Sequence, residues 1–291
     1  MTPQTPQNDT HAGRGAAHAA PAAFRALHAS GCFIIPNPWD RGSALYLHKL
    51  GFKALATTSA GFAFSRGLPD SMSALSVDAV LEHVREIASA TPLPVNADFQ
   101  SGYADDPEGV AENVTRCVRA GAAGLSIEDA TGDRSSPLHG RKTALERIRA
   151  ARRAIEATGI PVVLTARCEA WLVGDADPLR TALDRLPAYA EAGADCLFAP
   201  GVREPEMISA IVKAVAPKPV NVIVSSPAPG LSLQNLSDLG VRRISVGSAL
   251  ARVAWGGFMR AAEGIARTGT FELLEGAAPF SVFNDLFGSR K

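Results

Sequence analysis

The sequence predicts an α/β fold, specifically a (β/α)8 TIM barrel with an extra C-terminal helix. Short apolar runs alternate with amphipathic stretches eight times along the chain. Strands that alternate with helices are joined in parallel, and eight such units in about 250 residues favour closure into a barrel. A doubly wound open sheet is the alternative, but the first run lacks the Gly-rich dinucleotide turn that often marks that fold.

Each predicted strand is a short apolar run. In chain order the runs occupy residues 32–37, 53–59, 94–98, 123–129, 161–167, 194–200, 219–224 and 242–247. Proline stands at the entrance of some of them, as in IPV and KPV, where its missing N–H costs least.

The helices are predicted from apolar residues spaced three and four apart. The clearest patterns occupy residues 78–90, 107–122, 143–159, 178–194 and 248–269. In the second pattern Val110, Val114, Cys117 and Val118 share one face. Glycines that close several patterns, such as Gly159 and Gly240, suit left-handed helix caps.

These patterns divide the chain into three parts. Residues 1–22 mix Pro, Gln, Thr, Gly and Ala, which predicts a disordered N-terminal tail. Residues 23–270 form the predicted catalytic barrel, and residues 271–291 a C-terminal helical segment. The apolar stripe of that segment predicts a contact between subunits, although docking on its own barrel fits equally well; its residues are Phe280, Phe283, Leu286 and Phe287.

Composition excludes several classes of partner. Twenty-nine basic residues balance twenty-nine acidic ones, so the chain lacks the charge of a nucleic-acid or membrane-surface binder. No apolar run approaches the roughly 20 residues that span a bilayer, and the N-terminus lacks the apolar core of a secretory signal. Four scattered cysteines without a Cys-x-x-Cys pair indicate a reducing compartment, so we expect a soluble, cytoplasmic protein.

Polar residues gather where the predicted strands end, which is where barrel enzymes carry their catalytic groups. Side chains alternate along a strand, so Asn96 shares a face with Asp98, Ser126 with Glu128, and Thr165 with Arg167. If these faces point inward, carboxylates from neighbouring strands converge on an arginine at the barrel mouth.

Such a cluster has two interpretations. Carboxylate and amide oxygens suit a hard cation such as Mg2+, and the planar Arg167 suits a substrate carboxylate or phosphonate. Alternatively, Asp98, Glu128 and Arg167 form an internal ion-pair network, because charges deep in a core are rare unless paired. Periodicity alone does not decide between the two.

An ordered set of motifs adds a resemblance. The quoted stretches are NPWDRGSALYLHKLGFKALATTSAGFAFSRGLPDS, NADFQSGYADDPEGVAENV, AGAAGLSIEDATGD and TARCEAWL. Together they resemble the isocitrate lyase/phosphoenolpyruvate mutase superfamily over about residues 24 to 260, with 2-methylisocitrate lyase and oxaloacetate decarboxylase among the most similar types. The resemblance implies a barrel that acts on 2-oxo or dicarboxylic acids with Mg2+, or Mn2+ in its place. It also implies a homotetramer built as a dimer of dimers, in which the extra C-terminal helix can be swapped between subunits.

Residue roles follow from the same resemblance. It implies that Asp98 and Glu128 hold the metal, largely through water, with Asp70 nearby. Substrate contacts are implied for Asn96, Arg167 and Asn221, and for the serine stretch; its members are Ser59, Ala60 and Gly61.

Two departures from the family pattern bear on the reaction. Asn96 replaces the first acid of a D-x-D pair, and FQS replaces a single residue before Gly102. The loop at 130–143 has neither the cysteine of the isocitrate lyases nor the polar loop of phosphonopyruvate enzymes. His139 is the side chain of that loop with a pKa near neutrality, and it is a catalytic candidate unless it is merely solvated.

Three functions are therefore compatible with the sequence. The first is a Mg2+-dependent lyase that cleaves a C–C bond next to a 2-oxo acid, such as a decarboxylase or a methylisocitrate-type lyase. The second is a mutase or hydrolase that acts on the C–P bond of phosphonopyruvate. The third is a catalytically silent barrel that binds a dicarboxylate.

Overall fold

The chain folds into the predicted (β/α)8 barrel. The structure is a computed structural model that describes residues 10–228 and 230–288. Its eight strands are β1 Phe33–Ile35, β2 Leu55–Ala56, β3 Val95–Asp98, β4 Gly124–Glu128, β5 Val163–Arg167, β6 Cys196–Phe198, β7 Val220–Ile223 and β8 Arg243–Ser245. All neighbouring pairs are parallel, and the hydrogen-bonded order runs β1-β8-β7-β6-β5-β4-β3-β2. The predicted strands are thus confirmed, each a few residues shorter.

The barrel closes between β1 and β2 through a few hydrogen bonds. The Ala56 N–H donates to the Pro36 carbonyl at 3.0 Å. Beside it, the buried Asn37 amide donates to the Thr57 carbonyl and accepts from the N–H groups of Val246 and Gly247. Asn37 therefore joins the ends of the first, second and eighth strands.

Helices follow the strands as the periodicity predicts. They are α1 Thr10–Leu27, α2 Arg41–Lys49, α3 Ser59–Ser65, α4 Val77–Ala90, α5 Pro107–Arg119, α6 Arg141–Thr158, α7 Pro178–Glu191, α8 Pro205–Val215, α9 Leu233–Asp238, α10 Ala249–Thr268 and α11 Phe280–Gly288. Local signals explain several ends. Asp106 and Asp177 cap α5 and α7 ahead of a proline at the first position, and Gly159 ends α6 with φ 71°.

Three apolar cores support the barrel, and two of them bear on its strands β4 to β6 and on α1. The largest core lies between the strands and the helices and includes the buried Val110, Val114 and Cys117 of α5. A second core contains Phe24, Val163 and Cys196. Because Phe24 belongs to α1, this helix contributes to the second core, and Gly124 in β4 makes room for its ring: a Cβ there would lie 2.5 Å from a Phe24 ring carbon.

Residues 10–22 belong to α1, although the sequence predicts a disordered tail over residues 1–22; residues 1–9 lie outside the described part. The physical reason is packing: Phe24 is 0% exposed, and Arg25 pairs with Asp195 beyond β5. Composition indicated disorder because the apolar anchor, Phe24, stands just after the polar stretch. Helix α1 is therefore part of the barrel.

The C-terminal region leaves a large apolar surface uncovered. On α10, Val253 is 70% exposed and Phe258 61%, and Phe280 at the start of α11 is 88% exposed. Helix α11 also lies against α2, where a Phe287 ring carbon lies 3.3 Å from the position of a Cβ on Gly42. Within residues 10–228 and 230–288, the helices are all too short or too polar to cross a bilayer.

Candidate active site

A cavity of about 290 Å³ opens at the carboxyl ends of the strands. Its walls bring together seven of the predicted site residues, one of them a carboxylate on β3 and another the arginine on β5: Ser59, Ala60, Asp70, Asn96, Asp98, Arg167 and Asn221. Gly61 and Glu128 do not line it. The cavity exists because small side chains such as Ala56 and Ser126 stand where most barrels carry bulky ones.

Arg167 is the centre of the charged cluster in this cavity. Its Nη1 lies 2.7 Å from Asp98 Oδ1 and 3.0 Å from Glu128 Oε2, and its Nε donates to Glu169 Oε1 at 2.9 Å. The ring of Phe198 lies 5.3 Å from the guanidinium carbon. Three carboxylates thus share one cation. The side chains of Asp98, Glu128 and Arg167 meet on the inward side of the barrel, as strand alternation predicts.

Burial and neighbouring charges shift the pKa values of the groups in this cluster. Desolvation raises the pKa of Glu128 well above its ordinary value, with Arg167 opposing and Glu169 and Asp98 adding to the increase. Desolvation also raises the pKa of Glu169, against the opposing charge of Arg167. For Arg167 itself, burial lowers the pKa, but the three carboxylates outweigh it and the pKa is raised. Fully ionised, the cluster would carry excess negative charge in a poorly hydrated place, so Glu128 and Glu169 hold their protons more tightly than free carboxyls do.

Asp129 holds the end of β5 that carries this cluster. Its Oδ1 accepts from the Glu169 N–H at 2.8 Å, and its Oδ2 accepts from Arg185 and from the Tyr189 hydroxyl on α7. The carboxyl group is buried and points away from Glu128, as its position in the strand predicts. Asp129 thus fixes the backbone from which Glu169 reaches Arg167.

The serine stretch begins α3 at the rim of the cavity. Both the N–H and the hydroxyl of Ser59 donate to Asp98 Oδ2 at 2.9 Å, and the Gly61 N–H donates to Thr58 Oγ1 at 3.2 Å. The Ala60 N–H has no acceptor among the described residues. Of the three predicted backbone contacts to substrate, the Ala60 amide is therefore the one that is available.

Asp70 stands on the exposed rim near Asp98. Desolvation raises the pKa of the Asp70 carboxyl, the charge of Asp98 raises it further, and Arg167 partly offsets both. Two carboxylates that repel each other in this way gain from a cation between them.

The residues present fit a hydrated divalent cation. Within the described ranges, no three His, Cys, Asp or Glu side chains are grouped so that they alone could hold a metal ion. Magnesium, however, keeps several waters and is bound through one or two carboxylates. Asp98, Glu128 and Glu169 share the single guanidinium of Arg167, so a second cation would balance their ionised forms, and Asp98 and Glu128 would hold it.

Asn96 and Asn221 lie deeper in the barrel than the charged cluster. The Asn96 Oδ1 is buried without a hydrogen-bond partner in the described chain, and it would lie 2.7 Å from a Cβ on Gly124. The Asn221 amide donates to Ser245 Oγ at 3.0 Å. Both side chains are buried, and both residues line the cavity.

The structure does not bring His139 to the cavity. The loop that carries it folds on itself as a small hairpin through the Ala130–Leu138 bridge, and the His139 N–H donates to the Asp129 carbonyl. Burial lowers the pKa of His139, and the charge of Arg147 lowers it further. Its ring is absent from the cavity walls.

Sequence reasoning missed three arginines of the cavity. Arg243 lies in β8, Arg203 follows β6, and Arg252 belongs to the first turn of α10. For Arg243 a signal existed, because a charged residue at the start of a short, otherwise uncharged strand is rarely buried unless it is paired. Arg203 and Arg252 lie outside the strands, so alternation gives no indication of their direction.

Known proteins resemble this chain over most of its length. A family model described as phosphoenolpyruvate phosphomutase matches residues 24–266. A crystal structure of a candidate lyase/mutase from Burkholderia cenocepacia J2315 superposes with a TM-score of 0.91 at 47% identity, covering 95% of this chain and 98% of that one.

Two further proteins have named activities. The 2-methylisocitrate lyase of Escherichia coli strain K12 is 32% identical over 207 residues, 68% of each chain. A structure of oxaloacetate acetylhydrolase in complex with the product oxalate has a TM-score of 0.83 at 26% identity, covering 94% of this chain and 95% of that one.

Proposed function

Because the chain belongs to the phosphoenolpyruvate phosphomutase family, in the PEP mutase/isocitrate lyase superfamily, we propose that it is a magnesium-dependent carbon–carbon lyase. Its substrate is a small 2-oxo or 2-hydroxy dicarboxylate, and the bond that breaks lies next to the carbon that becomes an enolate. Oxaloacetate decarboxylation is the simplest reaction of this kind.

One observation carries the proposal: on the wall of one cavity the buried guanidinium of Arg167 meets Asp98, and Glu128 and Glu169 hold it from outside that wall. The planar fork of Arg167 matches a carboxylate, and its contact with three acids holds it in place. The named relatives act on carboxylic acids, which agrees with an anion-binding cavity.

The chain's own residues would bind and orient the substrate. The Ala60 N–H would donate to one carboxylate, and Arg167 would hold the other end of the molecule. Cleavage leaves the electron pair of the broken C–C bond on the remaining fragment as an enolate, while the departing carboxylate leaves as CO2 without a proton. The enolate then takes one proton from water to become the 2-oxo acid. A divalent cation near Asp98 and Glu128, when bound, would stabilise that negative charge.

Asp70 completes the proposed site, and His139 does not belong to it. Asp70 would hold water at the rim, beside Asp98. A reaction that releases CO2 agrees with a loop that contributes no acid to the cavity.

A substrate panel tests the proposal. Oxaloacetate, methylisocitrate, dimethylmalate and phosphonopyruvate are each incubated with the protein, with Mg2+ or with a chelator. We expect pyruvate or another 2-oxo acid from one of the first three, and only with Mg2+. Turnover that is equal with the chelator contradicts the metal dependence. Tight oxalate binding without any turnover would instead indicate the silent dicarboxylate-binding barrel.

Cleavage of a C–P bond is the second candidate. The family model is named for a phosphomutase. Two further arginines at the rim, Arg203 and Arg252, could donate hydrogen bonds to a phosphonate. Phosphorus NMR of phosphonopyruvate incubated with the protein separates the two reactions. Conversion to phosphate or to a phosphate ester favours this candidate over the first.

The proposal includes an oligomer and a location. The exposed apolar surface of α10 and α11 is the expected contact between copies, in a dimer of dimers. All four cysteines are free thiols, which supports a cytoplasmic protein.

A further inference from the structure

Arg243 lies at the floor of the cavity with uncharged partners only. It is 3% exposed. Its Nε donates to Asn221 Oδ1 at 2.8 Å, its Nη2 donates to Thr165 Oγ1 at 3.0 Å, and its Nη1 lies 3.3 Å from His28 Nε2. The His28 Nδ1 lies 2.8 Å from the Phe24 carbonyl, so that nitrogen carries the hydrogen and Nε2 is the acceptor.

This environment differs from that of Arg167. Arg167 touches three carboxylates, whereas no carboxylate of the described chain forms an ion pair with Arg243. Burial lowers the pKa of the Arg243 guanidinium, but an arginine in a protein stays protonated. The barrel interior therefore holds a positive charge that the chain does not balance, which is unfavourable unless something else balances it.

Arg243 also fixes the direction of the Asn221 amide. The Asn221 Oδ1 accepts from Arg243, and one hydrogen of its Nδ2 goes to Ser245 Oγ. The second hydrogen of that nitrogen remains available, and Asn221 lines the cavity. Asn221 is thereby prepared to donate to an oxygen of a bound molecule.

We propose that Arg243 determines the charge of the substrate: it selects a dianion over a monoanion in this cavity and holds Asn221 as a donor to it. The inference rests on the proposed function, because it concerns the same cavity and names the residue behind its substrate class. Arg243 acts on the substrate through Asn221 and through its charge, as a positioning residue.

Oxalate and oxamate test this proposal, because they are nearly the same size and carry two charges and one. Their dissociation constants are measured by calorimetry for wild type and Arg243→Met at one fixed Mg2+ concentration. We expect the preference for oxalate over oxamate to fall at least about tenfold in Arg243→Met, since one buried charge is removed. If Arg243 had a role in packing alone, Arg243→Met would weaken the binding of oxalate and of oxamate by the same factor.

Two further variants control the experiment. Arg242→Met removes the same charge one residue away, where the side chain donates to the Gly31 carbonyl at an exposed position, and we expect an unchanged preference. Arg243→Lys keeps the charge without the fork, and we expect it to retain most of the preference. Circular dichroism shows which variants fold, and if Arg243→Met does not fold, Arg243→Lys decides alone.

The outcomes separate this inference from the proposed function. A wild-type preference that persists in Arg243→Met, or that disappears in Arg243→Lys, overturns the inference and leaves the lyase proposal intact. A wild type that binds neither anion removes the dicarboxylate site, and the inference with it.

Discussion

At the scale of single residues, Arg167 has both a structural and a chemical role. The two interpretations of the sequence, an ion-pair network and a substrate-binding arginine, are not exclusive, because the network presents the guanidinium to the cavity. Since Asp98, Glu128 and Glu169 share this one cation, its removal leaves buried negative charge unpaired.

The first prediction follows from that charge. We expect Arg167→Met to lower the free energy of unfolding by about 3–5 kcal/mol, measured by urea denaturation. Arg141→Met, which breaks the exposed pair with Asp184, is the control and should cost less than about 1 kcal/mol. Similar losses in the two variants would show that the cluster is not a buried network.

The second prediction separates charge from geometry at the same residue. Arg167→Lys keeps the cation but loses the planar fork, so we expect a folded protein whose kcat falls roughly 100-fold or more. The measurement is steady-state kinetics on whichever substrate the panel identifies. Turnover within a few-fold of wild type would remove Arg167 from the reaction.

His28 gives a prediction about pH. Burial, with the charge of Arg243, lowers the pKa of His28 to about 3, from an ordinary value near 6.5. Between these values the unfolded chain binds a proton that the folded chain does not, so acid favours unfolding. The stability advantage of wild type over His28→Gln should shrink by up to about 1.4 kcal/mol per pH unit as the pH falls from 6.5 toward 4.

Denaturant titrations at several pH values measure that advantage. His48→Gln, on the exposed end of α2, is the control. A constant difference between wild type and His28→Gln across this range would mean that His28 is not held neutral by the fold.

The residues of the site show what the sequence could and could not predict. The sequence could place Asp98, Glu128 and Arg167 on the inward face of their strands, because strand alternation fixes which face each side chain occupies. Arg243 needed the register of β7 and β8, which sets Asn221 beside it. The place of His139 outside the cavity walls was not predictable, because a hairpin within its loop, not a periodic pattern, decides where its ring lies.

At the scale of elements, strands and helices were predictable almost throughout because each has its own apolar period. Helix α1 is the exception. Its residues 10–22 indicate disorder by composition, yet they form a helix ahead of the buried Phe24. Helical stability in proteins comes mainly from packing, and the contact that supplies it here lies far away in the sequence, on β4.

The prediction for α1 concerns that ring. Phe24→Ala should lower the free energy of unfolding by about 3–5 kcal/mol, because it opens a space at the base of the barrel. Leu233→Ala, at a 45% exposed position of α9, should change it by about 0.5 kcal/mol or less. A small effect of Phe24→Ala on urea denaturation would mean that α1 is not part of the folded barrel.

At the scale of the whole molecule, the exposed apolar surface of α10 and α11 is the proposed contact between copies of the chain. Large side chains such as Phe258 and Phe280 are exposed there, which is unusual for a monomer. Helix α11 contacts its own barrel through Phe287 and α2, and this contact covers only part of its apolar surface. The sequence predicts the apolar stripe of the C-terminal segment. It does not predict how much of that stripe packs against the barrel of the same chain.

Self-association is the corresponding prediction. Light scattering after gel filtration should give a mass well above the 30.4 kDa of one chain. A charge at a central position of the surface, Phe258→Asp, should reduce that mass, whereas Leu233→Asp on α9 should not. A wild-type mass equal to one chain would contradict the proposed contact.

Binding of Mn2+ as a probe for the proposed metal site tests the account most directly, and electron paramagnetic resonance measures it without any turnover. We expect one Mn2+ per chain in wild type, and at least about tenfold weaker binding in both Asp98→Asn and Glu128→Gln. Absence of stoichiometric binding in wild type would contradict a divalent cation at the mouth of this barrel. So would two variants that bind Mn2+ as tightly as wild type does.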